Sequence, residues 1–196
     1  MRHSLVLESE NVRLEPLSES NLDAVRASGN HSAIWDYTFQ TNPFQTAETT
    51  GVWFRAAVEA PGVQAFAIRD TRSGQVAGST RFFEIDGANR KLEIGWTFHA
   101  PHFWRTHVNT ESKYLLLRHA FEAMDYVRVQ FKAEAINRRS HAAILRLGAT
   151  HEGTLRSFRI RPDGELRDVG IYSIVADEWP MVKERLLAFA MAGIIS

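Results

Sequence analysis

KLEIGWTFHAPHFWRTHVNTESKYLLLRHAFEAM, running from Lys91 to Met124, is the stretch that decides the fold. Leu92 to Phe98 reads as an extended apolar segment, a turn-rich connector containing Pro101 follows, and a helix is predicted to begin near Asn109 or Thr110. Both residues are good N-caps, and Glu111 supplies the first-turn acid expected at a helix start. From there Tyr114, Leu117, Phe121 and Met124, flanked by Leu116 and Ala120, form one broad apolar face, with Arg118, His119 and Glu122 opposite. The amides that open a helix lack intrahelical acceptors and carry the positive end of its dipole. A helix start facing the end of a strand is therefore an anion seat.

Upstream, Val12 to Leu17 alternates as a strand. Ser18 caps a helix through about Ala27 that Gly29 and Asn30 end, and Thr46 caps a second helix that Pro61 and Gly62 stop. Between these helices His31 to Gln45 carries Trp35, Tyr37, Phe39 and Phe44 without a clear period and reads as a loop with room for a helical turn. Val63 to Asp70, Gln75 to Ile85 and the strand at Leu92 are separated by turns at Thr71 to Gly74 and at Asp86 and Gly87, which makes an antiparallel meander. Downstream, Val127, Val129, Phe131, Ala133 and Ala135 alternate with polar residues as a half-buried strand. The helix before it demands a crossover, so it should run parallel to the Leu92 strand. A helix from about Arg138 to Leu147 stops at Gly148 and points Ser140 inward with Ile144 and Leu147. Two strands, roughly Ala149 to Ile160 and Glu165 to Val175, flank the turn RPDG, and a last helix from Asp177 buries Trp179, Val182, Leu186 and Phe189. The expectation is one mixed α/β (α+β) domain over residues 1–196 with a mostly antiparallel central sheet.

At 196 residues and 44% hydrophobic, the chain is long enough to bury roughly 70% of its unfolded surface. Lysine plus arginine equal aspartate plus glutamate at 23 each, so no global field draws it to DNA or an anionic membrane. The absence of cysteine removes disulfides, thiolate metal sites and a cysteine nucleophile together. The N-terminal apolar run is too short for a signal peptide and the C-terminal AFAMAGII too short to span a bilayer, so a cytoplasmic location is expected. Phosphate-loop, dinucleotide and serine-elbow motifs are absent. His99, His102 and His107 cluster, but Pro101 interrupts them and no thiolate completes a set; they read as polar residues of a connector, and no metal is expected. Arg138 and Arg139, and Arg156, Arg159 and Arg161, form basic patches that read either as solvated faces or as contacts for a phosphate or acidic substrate.

Several separated pieces resemble the GNAT acetyl-CoA-dependent N-acetyltransferases, and within them the RimJ/RimL-like branch that acetylates protein N-terminal amines. EIGW (Glu93 to Trp96) resembles that branch's fourth strand, and Trp104 with Thr110 and Glu111 its cofactor loop and helix start. NRRS (Asn137 to Ser140), RLGA (Arg146 to Ala149), EGTLR (Glu152 to Arg156) and GELRD…YS with a final EW (Gly164 to Trp179) continue the likeness in order. The resemblance implies a GNAT fold, in which a splayed parallel strand pair flanked by helices admits the pantetheine arm of acetyl-CoA. It implies backbone pairing with Trp96, Thr97, Phe98 and His99, and a pyrophosphate on the amides of Arg105, Thr106, His107, Val108, Asn109 and Thr110. Asn137 would orient the cosubstrate or Ser140, and the adenine-side phosphate would use Arg138, Arg139 or Arg146. The family usually has glycine where this chain has His107, and glycine or alanine where it has Asn109. Histidine is strained in left-handed geometry, so a different backbone path or a weaker phosphate grip is expected there.

The catalytic assignment starts from what is missing. Acyl transfer to a neutral amine needs a base for the amine proton and an acid for the departing thiolate. Many family members place a tyrosine acid where this chain has Ile144, which cannot donate. Ser140, one helical turn earlier and matching the family serine, is the substitute acid; its alternative is a helix N-terminal residue beside Asn137. Glu93 is the base acting through water, with a salt bridge to a neighbouring strand as its alternative. The leading acceptor is a peptide or protein N-terminal α-amine, because a group with a pKa near 8 costs roughly 1 kcal/mol to deprotonate at pH 7, against roughly 4 to 5 for lysine. A small amine (polyamine, amino sugar or antibiotic) and a non-catalytic acyl-CoA-binding domain are the alternatives. The loop from Trp35 to Phe44 is the candidate substrate wall or else packing, and a homodimer is among the expected assemblies.

Overall fold

A computed structural model describes residues 4–38, 40–161 and 163–192. The strands are β1 (Leu7–Glu8), β2 (Val12–Pro16), β3 (Gln64–Asp70), β4 (Val76–Asp86), β5 (Lys91–His99), β6 (Arg128–Glu134), β7 (Thr150–Ile160) and β8 (Leu166–Val175). The helices are α1 (Glu19–Gly29), α2 (Ser32–Trp35), α3 (Ala47–Val58), α4 (His107–Arg118), α5 (Arg138–Leu147) and α6 (Trp179–Ala192). The strands form one 8-stranded sheet in the order β1-β2-β3-β4-β5-β6-β8-β7. Every neighbouring pair is antiparallel except β5 and β6, which the α4 crossover makes parallel.

Period two assigns each strand face to a different layer. Phe82, Leu92, Ile94, Val129 and Phe131 pack under α4, α5 and α6, with Leu115, Leu116, Leu117, Val182 and Leu186. Ala65, Ala67 and Phe98 face the other way, onto Val25, Phe44, Trp53 and Phe54 of the α1–α3 layer. Three consecutive fully buried leucines show that α4 is enclosed nearly all round, each contributing about 2 kcal/mol of burial. Gly148 ends α5 in the left-handed region at φ 101, where a side chain would be strained.

Two features of β5 shape the site. Its ladder with β6 covers only Lys91↔Arg128, Leu92↔Val129 and Glu93↔Gln130; beyond Glu93 the two strands diverge. On its other edge the register with β4 slips between the Ser79↔Phe98 and Arg81↔Gly95 pairs, a bulge that puts Trp96 at φ 52.

The structure corrects the start of α4. The N-cap is Thr106, whose Oγ1 accepts from the Val108 amide at 3.4 Å, so Asn109 and Thr110 lie inside the first turns. Glu111 is not a first-turn acid at the dipole: it is buried and accepts hydrogen bonds from Ser9 Oγ at 2.8 Å and Asn11 Nδ2 at 3.0 Å, clamping the β1–β2 hairpin to the helix. Nor does His107 carry left-handed strain. It opens the helix, and the positive φ falls on Arg105, at 59°. His107 is fixed by Asp70, with Nε2 to Oδ1 at 2.9 Å.

Candidate active site

The divergence of β5 and β6 leaves the facing edges of Ile94–His99 and Phe131–Glu134 outside the ladder, a slot in which an extended amide-bearing chain can pair with backbone. At its wide end stands the start of α4. With Val108 N held by Thr106 Oγ1, the amides of His107 and Asn109 have no intrahelical acceptor, which suits an anion. Val108 itself is fully buried under the turn.

The side chains of Trp96 to His99 point away from this slot or are engaged. Phe98 packs against Trp35, Phe44 and Trp53. Thr97 Oγ1 is 2.8 Å from Thr80 Oγ1 and accepts from Lys113 Nζ at 2.6 Å. Their contribution to a slot ligand is therefore backbone. Lys113 is buried inside α4, and burial pushes its pKa down to about 7. His99 is held neutral, its pKa down to about 3, by burial first and then by Lys113 and Arg139; its Nε2 is buried without a partner.

Across the slot, Asn137 caps α5: Oδ1 accepts from the Ser140 amide at 3.0 Å, and Nδ2 donates to the Tyr37 carbonyl at 3.1 Å. The contact to Ser140 is an N-cap on its backbone amide. Ser140 is half-buried, and its hydroxyl has no hydrogen-bond partner among the described residues. Arg139 stacks on Trp104 with its Cζ 3.9 Å from the ring centroid, while Trp104 Nε1 donates to the His99 carbonyl at 2.9 Å. That chain joins the connector after β5 to the start of α5 over the wide end of the slot. Arg138 sits at the same end of α5, whereas Arg146 lies eight residues along, about 12 Å away at 1.5 Å per residue. The structure thus ties Arg139, through Trp104, to the connector that leads into α4.

Glu93 occupies the last paired position before the divergence, on the face opposite α4. It is 3% exposed, with Oε2 2.7 Å from Lys132 Nζ and 3.0 Å from Gln130 Nε2. Burial raises its pKa despite both contacts, which favours proton uptake. The salt bridge to a neighbouring strand is present, and it leaves Oε1 unengaged. The aromatic loop divides: Trp35 and Phe44 are core residues, Tyr37 is exposed beside Asn137, and Phe39 lies outside the described residues. Sequence reasoning missed Arg81 and Lys113, buried cations in segments that read as ordinary strand and helix. Among the described residues no group of three or more His, Asp or Glu could hold a metal ion.

A slot between diverging parallel strands, ending at a helix start with free amides, fits a long amide-bearing thioester with a phosphate tail. The sequence profile of the acetyltransferase (GNAT) domain matches residues 11–150. The chain belongs to the GNAT acetyltransferase family.

GNAT acetyltransferases draw their acetyl group from acetyl-CoA, and this chain is an acetyl-CoA-dependent N-acetyltransferase of that family. YdaF of Bacillus subtilis (strain 168), provisionally named a ribosomal N-acetyltransferase, is 30% identical over 127 residues, which are 65% of this chain and 67% of YdaF. A GCN5-related N-acetyltransferase from Brucella melitensis superposes with a TM-score of 0.89 at 29% identity over 95% of this chain and 86% of its own. Two more distant GNAT structures share the fold. Mycobacterium smegmatis RimJ in complex with CoA-disulfide has a TM-score of 0.74 at 22% identity over 91% and 89% of the chains. Spermidine N-acetyltransferase from Vibrio cholerae in complex with CoA and spermine has 0.73 at 16% over 88% and 100%. No helix among the described residues is long and apolar enough to cross a membrane.

Proposed function

We propose that this GNAT acetyltransferase acetylates an α-amine at a peptide or protein N-terminus. The observation that carries the reading is the charge balance on the sheet face opposite α4. At its centre the buried Glu93 has Lys132 at 2.7 Å, and the buried Arg81 on the same face forms no ion pair with a carboxylate of the described residues. A polyamine needs free carboxylates beside the reacting amine, and the one at this position is already matched by a cation. A single base already paired with lysine suits an amine that costs roughly 1 kcal/mol to deprotonate at pH 7. The provisional name of YdaF points the same way.

In this account the diverging halves of β5 and β6 hold the pantetheine arm. The amides of His107 and Asn109 meet the pyrophosphate, with Arg138 or Arg139 beside it. Acetyl-CoA supplies an acyl thioester open to attack by a neutral amine. Glu93 takes up the amine proton through water, Ser140 donates a proton to the departing sulfur, and Asn137 fixes Ser140 by capping α5. The test is calorimetric titration with acetyl-CoA followed by thiol release against a panel of peptides, polyamines and amino sugars. Peptide α-amines are expected to turn over best. Turnover of polyamines or amino sugars with none on peptides overturns the assignment.

A further inference from the structure

Arg81 is a buried cation to which the account of the site gives no role. It lies on β4 with its side chain on the same face as Glu93, 3% exposed, between the rings of Trp53 and Trp96, whose centroids are 4.9 and 4.7 Å from its Cζ. Two of its donors, Nε and Nη2, are buried with no hydrogen-bond partner, and no carboxylate of the described residues forms an ion pair with it. Buried donors are nearly always satisfied, and an orphaned pair on a cation needs a reason.

The identity of the two atoms supplies one. Nε–H and Nη2–H point in parallel from one edge of the guanidinium and form the fork that grips a carboxylate in bidentate fashion. Elsewhere in the chain the same edge of Arg69 holds a carboxylate, although there Nε at 3.0 Å and Nη2 at 2.6 Å both donate to one oxygen, Glu15 Oε1. At Arg81 the fork is formed and no carboxylate is there. Its surroundings are those of the acceptor side of the site. Arg81 pairs across the ladder with Gly95, and Phe83 with Glu93, so Arg81 and Glu93 are diagonal neighbours on one face. Gly95 puts no side chain between them; a Cβ there would lie 2.8 Å from the Phe83 ring and 3.7 Å from Glu93 Oε1. Trp96, 43% exposed on its bulge, is the outer wall of the stack.

We propose that the Arg81 fork, framed by Trp53 and Trp96, is an acceptor-carboxylate subsite, so that the preferred acceptor carries a carboxylate a few bonds from the amine presented to Glu93. The inference rests on the acetyl-transfer reading and narrows it. The carboxylate comes either from the side chain of an acidic N-terminal residue or from the α-carboxyl of a free amino acid. Hydrogen-bonding sites of this kind reject analogues that cannot fill them, because the donors are left unpaired. A polyamine would instead place positive charge against Arg81.

The test is binding, which requires no turnover. Two matched pairs are titrated into the full chain by calorimetry, with and without CoA: the amidated tripeptides Asp-Ala-Ala and Asn-Ala-Ala, and free alanine against alaninamide. The proposal expects the carboxylate member of at least one pair to bind tenfold or more tighter than its amide twin. Discrimination in the first pair alone assigns the side-chain source, and in the second alone the α-carboxyl. Arg81→Met should abolish the difference and Arg81→Lys retain part of it. Equal affinities within both pairs, no binding of any member, or discrimination unchanged in Arg81→Met overturns the subsite. The wild-type comparison decides by itself should Arg81→Met fail to fold. Titration with acetyl-CoA is read separately: its failure would remove the acetyl-transfer reading, whereas its success with equal affinities removes only the subsite.

Discussion

Replacing Lys113 by methionine should stabilise the protein most at low pH, and the pH dependence of that gain can be worked from the structure. The ammonium is buried, bonded to Thr97 Oγ1 at 2.6 Å and Thr80 Oγ1 at 3.3 Å, and among the described residues no carboxylate pairs with it. Burial lowers its pKa from 10.5 to about 7. A drop of that size is a penalty of about 5 kcal/mol on the charged form. Because the folded pKa is the lower one, the unfolded chain holds the extra proton between about pH 7 and 10.5, and stability rises with pH across that window. The penalty is fully felt below pH 7 and gone above 10.5. Methionine carries no such term, and Thr80 and Thr97 keep their mutual bond at 2.8 Å. The stability difference between Lys113→Met and wild type should therefore shrink by about 1.4 kcal/mol per pH unit, roughly 2 to 3 kcal/mol between pH 7 and 9. Urea unfolding of both proteins at pH 7, 8 and 9 measures it. A difference constant across that range would mean that Lys113 titrates normally, and would refute the claim that burial governs it.

Four further outcomes are expected. His107→Gly should lower stability by about 1 to 2 kcal/mol, since it deletes the Asp70 contact and loosens the first turn of α4, and it should not tighten acetyl-CoA binding; urea unfolding and calorimetry check the two halves. Ser140→Ala should cut turnover about 10²-fold with little change in acetyl-CoA affinity, and wild-type turnover on a confirmed acceptor would remove it as the acid. Glu93→Gln should cost about 10²-fold above the raised pKa of Glu93, where the wild-type carboxylate is ionised, and the difference should fade as pH drops through that pKa; the pH–rate profile of both proteins is the measurement. Arg139→Met should weaken acetyl-CoA roughly tenfold while Arg146→Met leaves it unchanged, as read by calorimetry.

The order and type of the longer elements were legible because periods of two and 3.6 and the turn residues agreed along the chain, whereas β1 and α2 are too short to show a period. The N-cap of α3 at Thr46 and the span of α5 were readable to the residue. The start of α4 was not. Thr106, Asn109 and Thr110 are all cap-type residues, and what selects Thr106 is the tertiary contact of His107 with Asp70. That contact also explains why a histidine stands where the family has glycine, a position whose strain passes instead to Arg105. Glu111 and Lys113 looked like ordinary helix charges because a helical pattern does not show that β1, β2 and α6 enclose the helix on its remaining sides. At the site, Ser140 was legible as a residue of the first turn of α5 and Glu93 as a strand carboxylate, whereas the capping of that turn by Asn137 was not read. Arg81 was hidden, since its partners Trp53 and Trp96 are distant in sequence and only the bulge in β5 brings Trp96 over it.

The central claim is that the diverging halves of β5 and β6 and the start of α4 hold acetyl-CoA. Hydrogen–deuterium exchange with and without excess acetyl-CoA tests it most directly. The account predicts added protection at the amides of Ile94–His99, Arg105–Thr110 and Asn137–Ser140. Protection confined to the polar depression lined by Glu84, Asp86, Lys91 and Arg128, or no change anywhere, would contradict it.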